Sequence, residues 1–209
     1  MEISKEFRFK CNQCGNCCKD KNTIVNVTYH DILTLKNALN LSVDETFVVL
    51  GFYVFEKPPT ELELTKMVVP PIQTENGLAF VGLFKNQSGV CYFFDDKKRK
   101  CKIYKARPIF CKTFPYSFKI LVDTKTKKRK GIEIYLTDKG HEYCEGIDMN
   151  YQPIDRESWV QLGKKAISQM EDNNVLVQKW NHSVNQNEIT ASARNFLVTV
   201  FNLEENSKY

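Results

Sequence analysis

The stretch Cys11-Asn-Gln-Cys14-Gly-Asn-Cys17-Cys18 places four thiols within eight residues and constrains this chain more than any other feature. A cysteine used for packing behaves as a small hydrophobe and has no reason to recur at every third position. Repeated Cys-x-x-Cys steps let a tight turn aim two sulfurs at one centre. Gly15 sits inside that turn, where a bent backbone costs little. The other four cysteines, Cys91, Cys101, Cys111 and Cys144, are scattered downstream. The pattern asks for a fold that returns them to the N-terminal knuckle and builds a thiolate-bound metal centre there.

Size removes the competing use for sulfur. A chain of 209 residues buries a core without cysteine staples, which chains below roughly 70–80 residues need. A hydrophobic fraction of 42%, with 14 Phe and 9 Tyr, is that of a globular protein. The opening Met-Glu-Ile-Ser-Lys-Glu-Phe has no apolar core of signal-peptide type, and no run approaches the ~18–20 apolar residues of a membrane span. These features lead us to expect a cytoplasmic protein that does not enter the membrane. In a reducing compartment a cysteine pattern reads as metal-binding or redox before it reads as disulfides, although eight is an even number.

The spacing predicts an α+β fold. Phe7-Arg-Phe9 leads into the knuckle and anchors it through buried rings. Residues 23–27 read as a short strand. Thr28-Tyr-His-Asp31 resembles a capping box and opens a helix through about Asn40; Ser42-Val-Asp-Glu45 opens a second through about Val49. Segments 66–70 and 78–84 read as strands paired across the turn signal Asn76-Gly77. Residues 89–94 read as a strand, so that Cys91 and Cys101 flank a hairpin. Pro108 suits the first position of a short helix, and Pro115 ends it. Segments 117–123 and 131–136 alternate, and form a hairpin with the basic tip Lys125 to Arg129. From about Asp155 the pattern turns helical, with predicted helices around Trp159 to Met170, over 174–182 and over 188–203. We expect residues 1–150 to form the cysteine-cluster domain and 151–209 a helical extension packed on it.

Thiolates select zinc or iron–sulfur clusters. Neighbouring side chains such as those of Cys17 and Cys18 diverge, which favours two nearby sites or a polynuclear centre. Arg107 either stabilises the thiolates or pairs with a surface carboxylate. Tyr104 packs, with its hydroxyl within reach of sulfur or backbone. His30, His141 and His182 are spare candidates, His141 the best placed because it lies near Cys144. The basic runs at Lys97–Lys100 and Lys125–Arg129 read as solvated hairpin tips. The net charge of +5 permits an anionic partner without demanding one. No RNA-stacking signature, P-loop, GxGxxG, nucleophile elbow or HExxH is present, and nucleic acid is disfavoured as a partner.

Taken together, Cys11-x2-Cys14-x2-Cys17-Cys18, Cys91, Cys101-x-Ile-Tyr104-x2-Arg107-Pro108-x2-Cys111-x-x-Phe114-Pro115 and Cys144 resemble the YkgJ-like cysteine-cluster family of zinc- or iron-chelating proteins. Related cluster segments occur in flagellin lysine methylases. The resemblance covers about residues 9–147. It implies chelation through these cysteines and no settled reaction. The chain departs from the family in carrying Lys112 where Arg is frequent, which removes a planar guanidinium, and Glu145 where Pro is frequent. The leading expectation is therefore a metal-binding protein whose ligands are Cys11, Cys14, Cys17, Cys18, Cys91, Cys101, Cys111 and Cys144. They would hold an iron–sulfur cluster, with 4Fe–4S favoured, or zinc. The alternatives are a cluster-dependent protein (lysine) methyltransferase-like enzyme acting on a protein substrate, or a zinc-ribbon-like module that binds RNA or protein.

Overall fold

The structure, a computed structural model, describes residues 6–206. Its first half is built from short elements with strong local start signals. A single helical turn, α1 (Asn16–Lys19), lies in the knuckle. Helices α2 (Tyr29–Leu39) and α3 (Val43–Val49) open on the expected capping boxes, Thr28 with Asp31 and Ser42 with Glu45. Strand β1 (Leu50–Val54) follows α3 directly. Helix α4 (Glu61–Lys66) opens on a third box, Thr60 with Glu63. It takes up the start of the segment expected to be a strand over 66–70, and Pro70-Pro71 offer no N–H to a ladder.

The actual partner of the later strand is β2 (Ile72–Thr74), which pairs with β3 (Gly77–Leu83) across Glu75-Asn76. Gly77 takes φ +107 there, a conformation that suits glycine. The sheet order is β1-β3-β2, all antiparallel, with Gly51 opposite Gly82. Residues 25–27 do not form a full strand. They run beside the part of β3 that β2 leaves free, with Val27 N donating to Val81 O and Leu83 N to Val25 O.

The expected strand over 89–94 is mostly turn. Only β4 (Phe94–Asp95) pairs with β5 (Lys100–Cys101), placing Phe94, not Cys91, opposite Cys101. A 3₁₀ turn at Tyr104–Ala106 leads to α5 (Ile109–Thr113), for which Pro108 is the N-cap residue. Strands β6 (Tyr116–Val122) and β7 (Arg129–Leu136) form the predicted hairpin with its basic tip, and α6 (Asp138–Tyr143) follows.

The C-terminal region is helical, and its helices are fewer and longer than the pattern suggested. One 30-residue helix, α7 (Arg156–Asn185), replaces the two expected before residue 182. The polar run Glu171-Asp172-Asn173-Asn174, which reads as a break, is satisfied in part by neighbours, while Asn173 Nδ2 and Asn174 Oδ1 are buried without a hydrogen-bond partner. Asn173 Oδ1 accepts from Tyr29 N at 2.9 Å, Asp172 pairs with His30 at 3.2 Å, and Glu171 pairs with Arg129. The last helix, α8 (Ala193–Asn206), starts five residues later than 188. Its start is fixed by Ser192 Oγ, which accepts from Asn195 N, and by the Glu75 carboxylate, which accepts from Ala193 N.

The core joins both regions. Val27 from the segment beside β3 and Ile32 and Leu35 from α2 meet Ile72, Val81 and Leu83 from the sheet, Val177 and Trp180 from α7, and Phe196, Leu197 and Val200 from α8. No helix among the described residues is long and apolar enough to cross a membrane.

Candidate metal centre

The knuckle is aimed by glycine and fixed by aromatic packing. Gly15 caps α1 at φ +84, and a Cβ placed there would fall 2.1 Å from Phe94 Cζ. Only glycine lets the turn close over the Phe94 ring. Upstream, Phe7 and Phe9 pack on Tyr116 of β6 with ring centroids at 4.9 and 5.9 Å, and Phe9 also meets Trp159 of α7 at 5.9 Å. The expected aromatic anchor is therefore present. Arg8 donates to Tyr151 O at 2.6 Å and ties the same segment to the approach to α7.

The scattered cysteines come back by backbone contacts. Lys10 N donates to Gly146 O at 2.9 Å, which sets Cys144, the C-cap of α6, beside Cys11. Asn16 Nδ2 spans to Tyr143 O at 3.1 Å and to the Glu145 carboxylate at 3.0 Å. Cys91 N donates to Cys18 O at 2.8 Å. Arg99, in the tip of the β4–β5 hairpin, reaches Cys14 O at 3.4 Å, so this basic run touches the knuckle as well as solvent. Cys111 is carried in by α5, whose first N–H, that of Ile109, is held by the buried Asp31 carboxylate at 2.8 Å.

A cavity of about 50 Å³ results, lined by Cys11, Cys14, Cys17, Cys111 and Cys144 with Arg107 at its wall. All eight cysteines are free thiols. The Cys17 and Cys18 sulfurs lie 4.0 Å apart. Among the described residues no three Cys, His, Asp or Glu side chains already converge tightly on a single ion position. None of the three histidines lines the cavity: His30 pairs with Asp172, and His141 and His182 are exposed.

Electrostatics follow from crowding sulfur in a half-buried space. The Cys17 thiol is lowered to about 7, first by its hydrogen bond with Cys18 and further by the Arg107 charge. Cys18 is pushed up by that same contact and by burial. Burial is the leading cause that raises Cys91, Cys101 and Cys111, and it carries Cys144 to about 11. Arg107 opposes the rise at Cys101 and Cys111. Its guanidinium stacks on Tyr104 at 3.8 Å from the ring centre, and no carboxylate pairs with it among the described residues. Of the two expected roles, a charge beside the thiols is the one observed. Tyr104 is raised by burial first and then by the Cys11 thiol that it faces.

Two contributors, Tyr143 and Asp20, escaped the sequence reading, and a third, Phe114, entered it only within the motif that carries the family resemblance. Phe114 stacks on Tyr143 at 5.8 Å, and both line the cavity. Asp20, two residues beyond the knuckle, accepts from the Tyr143 hydroxyl at 3.2 Å and pairs with Lys139 at 3.3 Å, which fastens α1 to α6. Its contact with Thr23, ahead of Asn22 and Lys139, holds its carboxyl down at about 2. The available signal was an acidic residue directly after a ligand-rich turn.

The family model CxxCxxCC, described as "Putative zinc- or iron-chelating domain", matches residues 10–145, the region that contains every cysteine above. The chain belongs to this family. A curated relative, an uncharacterized protein (MJ0661) of Methanocaldococcus jannaschii, is 34% identical over 112 residues, covering 54% of this chain and 47% of its own length. The chain thus spans about half the length of that relative. A comparison with solved structures finds no match.

Proposed function

We propose that this protein holds an iron–sulfur cluster, with zinc as the competing occupant, through Cys11, Cys14, Cys17, Cys18, Cys91, Cys101, Cys111 and Cys144. The observation that carries the reading is the donor set. Five thiols from three separate segments line one cavity in which no histidine or carboxylate takes part. All-sulfur donors suit iron–sulfur clusters and zinc and poorly suit calcium or magnesium. Adjacent Cys17 and Cys18, and more thiols than one ion needs, favour the polynuclear occupant, with a four-iron cluster on four thiolates as its simplest form. When bound, such a cluster supplies electron transfer or activation of a ligand at an open iron, whereas a closed zinc site supplies structure.

The chain's own residues serve either occupant. Arg107 offsets thiolate charge at Cys17, Cys101 and Cys111. Phe114, Tyr143 and Phe9 give the cavity its aromatic wall. Thiolate ligation requires reduced sulfur, so we place the protein in the cytosol. The test is metal and acid-labile sulfide content, with the visible spectrum, of full-length protein purified without oxygen. Brown protein with matched iron and sulfide is expected. Colourless protein with stoichiometric zinc would replace the cluster by zinc, and protein without either metal would overturn the reading.

A further inference from the structure

The eight thiols do not share one environment. Cys11, Cys14, Cys17 and Cys144 line the cavity, and Cys17 is exposed. Cys18, Cys91 and Cys101 do not line it. Together with Cys111 they belong to the hydrophobic core, where Cys91 is 7% exposed and the other three pack against the cluster built on Phe93, Phe94 and Ile103. Cys111 borders both sides, since it also touches the cavity. The division falls between Cys17 and Cys18, whose sulfurs are within hydrogen-bonding reach of one another at 4.0 Å.

We infer that the chain has two adjacent metal positions, an enclosed one held by Cys18, Cys91, Cys101 and Cys111 and a solvent-facing one held by Cys11, Cys14, Cys17 and Cys144. This rests on the metal-binding reading above and specifies its stoichiometry and division of labour. Each set contains four thiols, the number that a structural zinc or a four-iron cluster takes. A single four-thiolate site in the cavity would leave four thiols without a metal partner, at least three of them in or against an apolar core.

The two positions differ in what holds them. The enclosed set is drawn from four segments, those of α1, the turn before β4, β5 and α5, so a metal there ties together parts of the chain that are far apart in sequence. It acts as a structural staple. Three of the four outer ligands come from the knuckle alone, and the fourth hangs on the end of α6. That position faces the cavity and Arg107. It is therefore the one that exchanges its metal or takes a further ligand, as sites with an open side do.

The test uses the full chain, reduced and loaded with zinc alone. Zinc per chain is measured by mass spectrometry, its release to excess chromogenic chelator is followed in time, and far-UV circular dichroism is recorded in parallel. We expect two zinc ions, released in two phases separated by at least about tenfold, because escape from the enclosed position requires the core to open. The fast phase should leave the thermal transition unchanged; the slow phase should lower its midpoint without abolishing it. The double variant Cys14→Ser/Cys144→Ser should bind one zinc, lack the fast phase and keep a cooperative transition. The variant Cys91→Ser/Cys101→Ser should lack the slow phase. If that protein does not fold, the outer variant decides alone. One zinc per wild-type chain, a single release phase, or loss of all zinc from the outer variant would overturn the two positions and leave metal binding standing. No bound zinc or iron in any preparation would remove both.

Discussion

Asp31 is the strongest test of how the scaffold holds the centre. Its side chain is 4% exposed, and it joins the start of α2 to the start of α5. Oδ2 accepts from Thr28 N and Thr28 Oγ1, both at 2.9 Å, and Oδ1 accepts from Ile109 N at 2.8 Å. Thr28 is 0% and Ile109 1% exposed, so water cannot replace the carboxylate. Replacing Asp31 with Ala strands two buried N–H groups and one hydroxyl, which can rotate to another acceptor. Each stranded N–H costs about 1–3 kcal/mol, partly offset because a buried carboxylate no longer has to be desolvated. The net loss should be about 3 kcal/mol. For a chain of this size each kcal/mol moves the midpoint by about 2–4 °C, so Tm should fall by about 6–12 °C. Asp31→Asn keeps the volume and one acceptor and should lose about half as much.

The pH dependence adds a signed check. Burial raises the Asp31 carboxyl pKa more than its bonds to Thr28 and Ile109, and the Lys112 charge, lower it. The folded chain then takes up the proton before the unfolded one. Wild type should gain stability relative to Asp31→Asn as pH falls from neutral toward the ordinary carboxylate range, and lose that gain as pH rises through the raised value. Because Ile109 opens the helix that carries Cys111, the Ala variant should also release metal faster. An Asp31→Ala protein that melts within about 2 °C of wild type would refute the argument that this carboxylate holds α5 in place.

Four further outcomes are expected. Gly15→Ala adds a left-handed residue and a Cβ that meets the Phe94 ring, so it should cost about 2–5 kcal/mol by urea unfolding; a cost under about 1 kcal/mol would mean that the knuckle does not need this turn. Arg107→Gln should slow iodoacetamide labelling of Cys17 in metal-free protein at pH 7 by about two- to threefold and leave the rate at pH 10 unchanged, since removing the cation raises a thiol now at about 7; an unaltered pH–rate profile would exclude electrostatic support. Trp159→Ala should remove about 2–3 kcal/mol and make the chain before Cys11 sensitive to protease, because Phe9, Tyr116 and Phe118 all rest on that ring; unchanged digestion would show that the anchor lies elsewhere. A fragment of residues 1–150 should show no cooperative melt even with zinc, whereas a sharp transition would establish an independent domain.

Much of the fold was legible where a signal is local. The capping boxes at Thr28 and Ser42 announce α2 and α3 because one side chain satisfies N–H groups within its own turn. The same device at Thr60 lies behind Pro58-Pro59, which reads as loop and hides α4. Legibility ended where partners are distant. Nothing near Asn173 indicates that its amide will meet Tyr29, 144 residues away, and without that partner the polar run in α7 looks like a break. The thiols followed the same rule. Their chemistry was readable from spacing, but their division between cavity and core was not, because Cys17 and Cys18 are neighbours in sequence and differ only in what the rest of the chain packs around them. The side of the site on which Arg107 falls depends on the turn at Tyr104–Ala106, a tertiary outcome.

The relation between the helices and the sulfur site bears on how much the metal has to do. The thiol-bearing elements are too small to stand alone: β4 and β5 have two residues each, and α5 has five. A hairpin of that size is at best marginal in water. The region that matches the family model ends at residue 145, before α7 begins. Yet Val177, Trp180, Phe196, Leu197 and Val200, all at most 2% exposed, close the core into which Cys91 is built. At about 1.5–3 kcal/mol for each fully buried apolar side chain, these five contribute on the order of 10 kcal/mol, comparable with the whole stability of an ordinary domain. Helices α7 and α8 thus hold the short segments in place before any metal arrives. This differs from a zinc finger, in which the metal and the fold appear together. On the proposed reading, a bound metal would draw together sulfurs that the scaffold has already gathered, and its charge would offset the burial that raises the Cys91, Cys101 and Cys111 thiols.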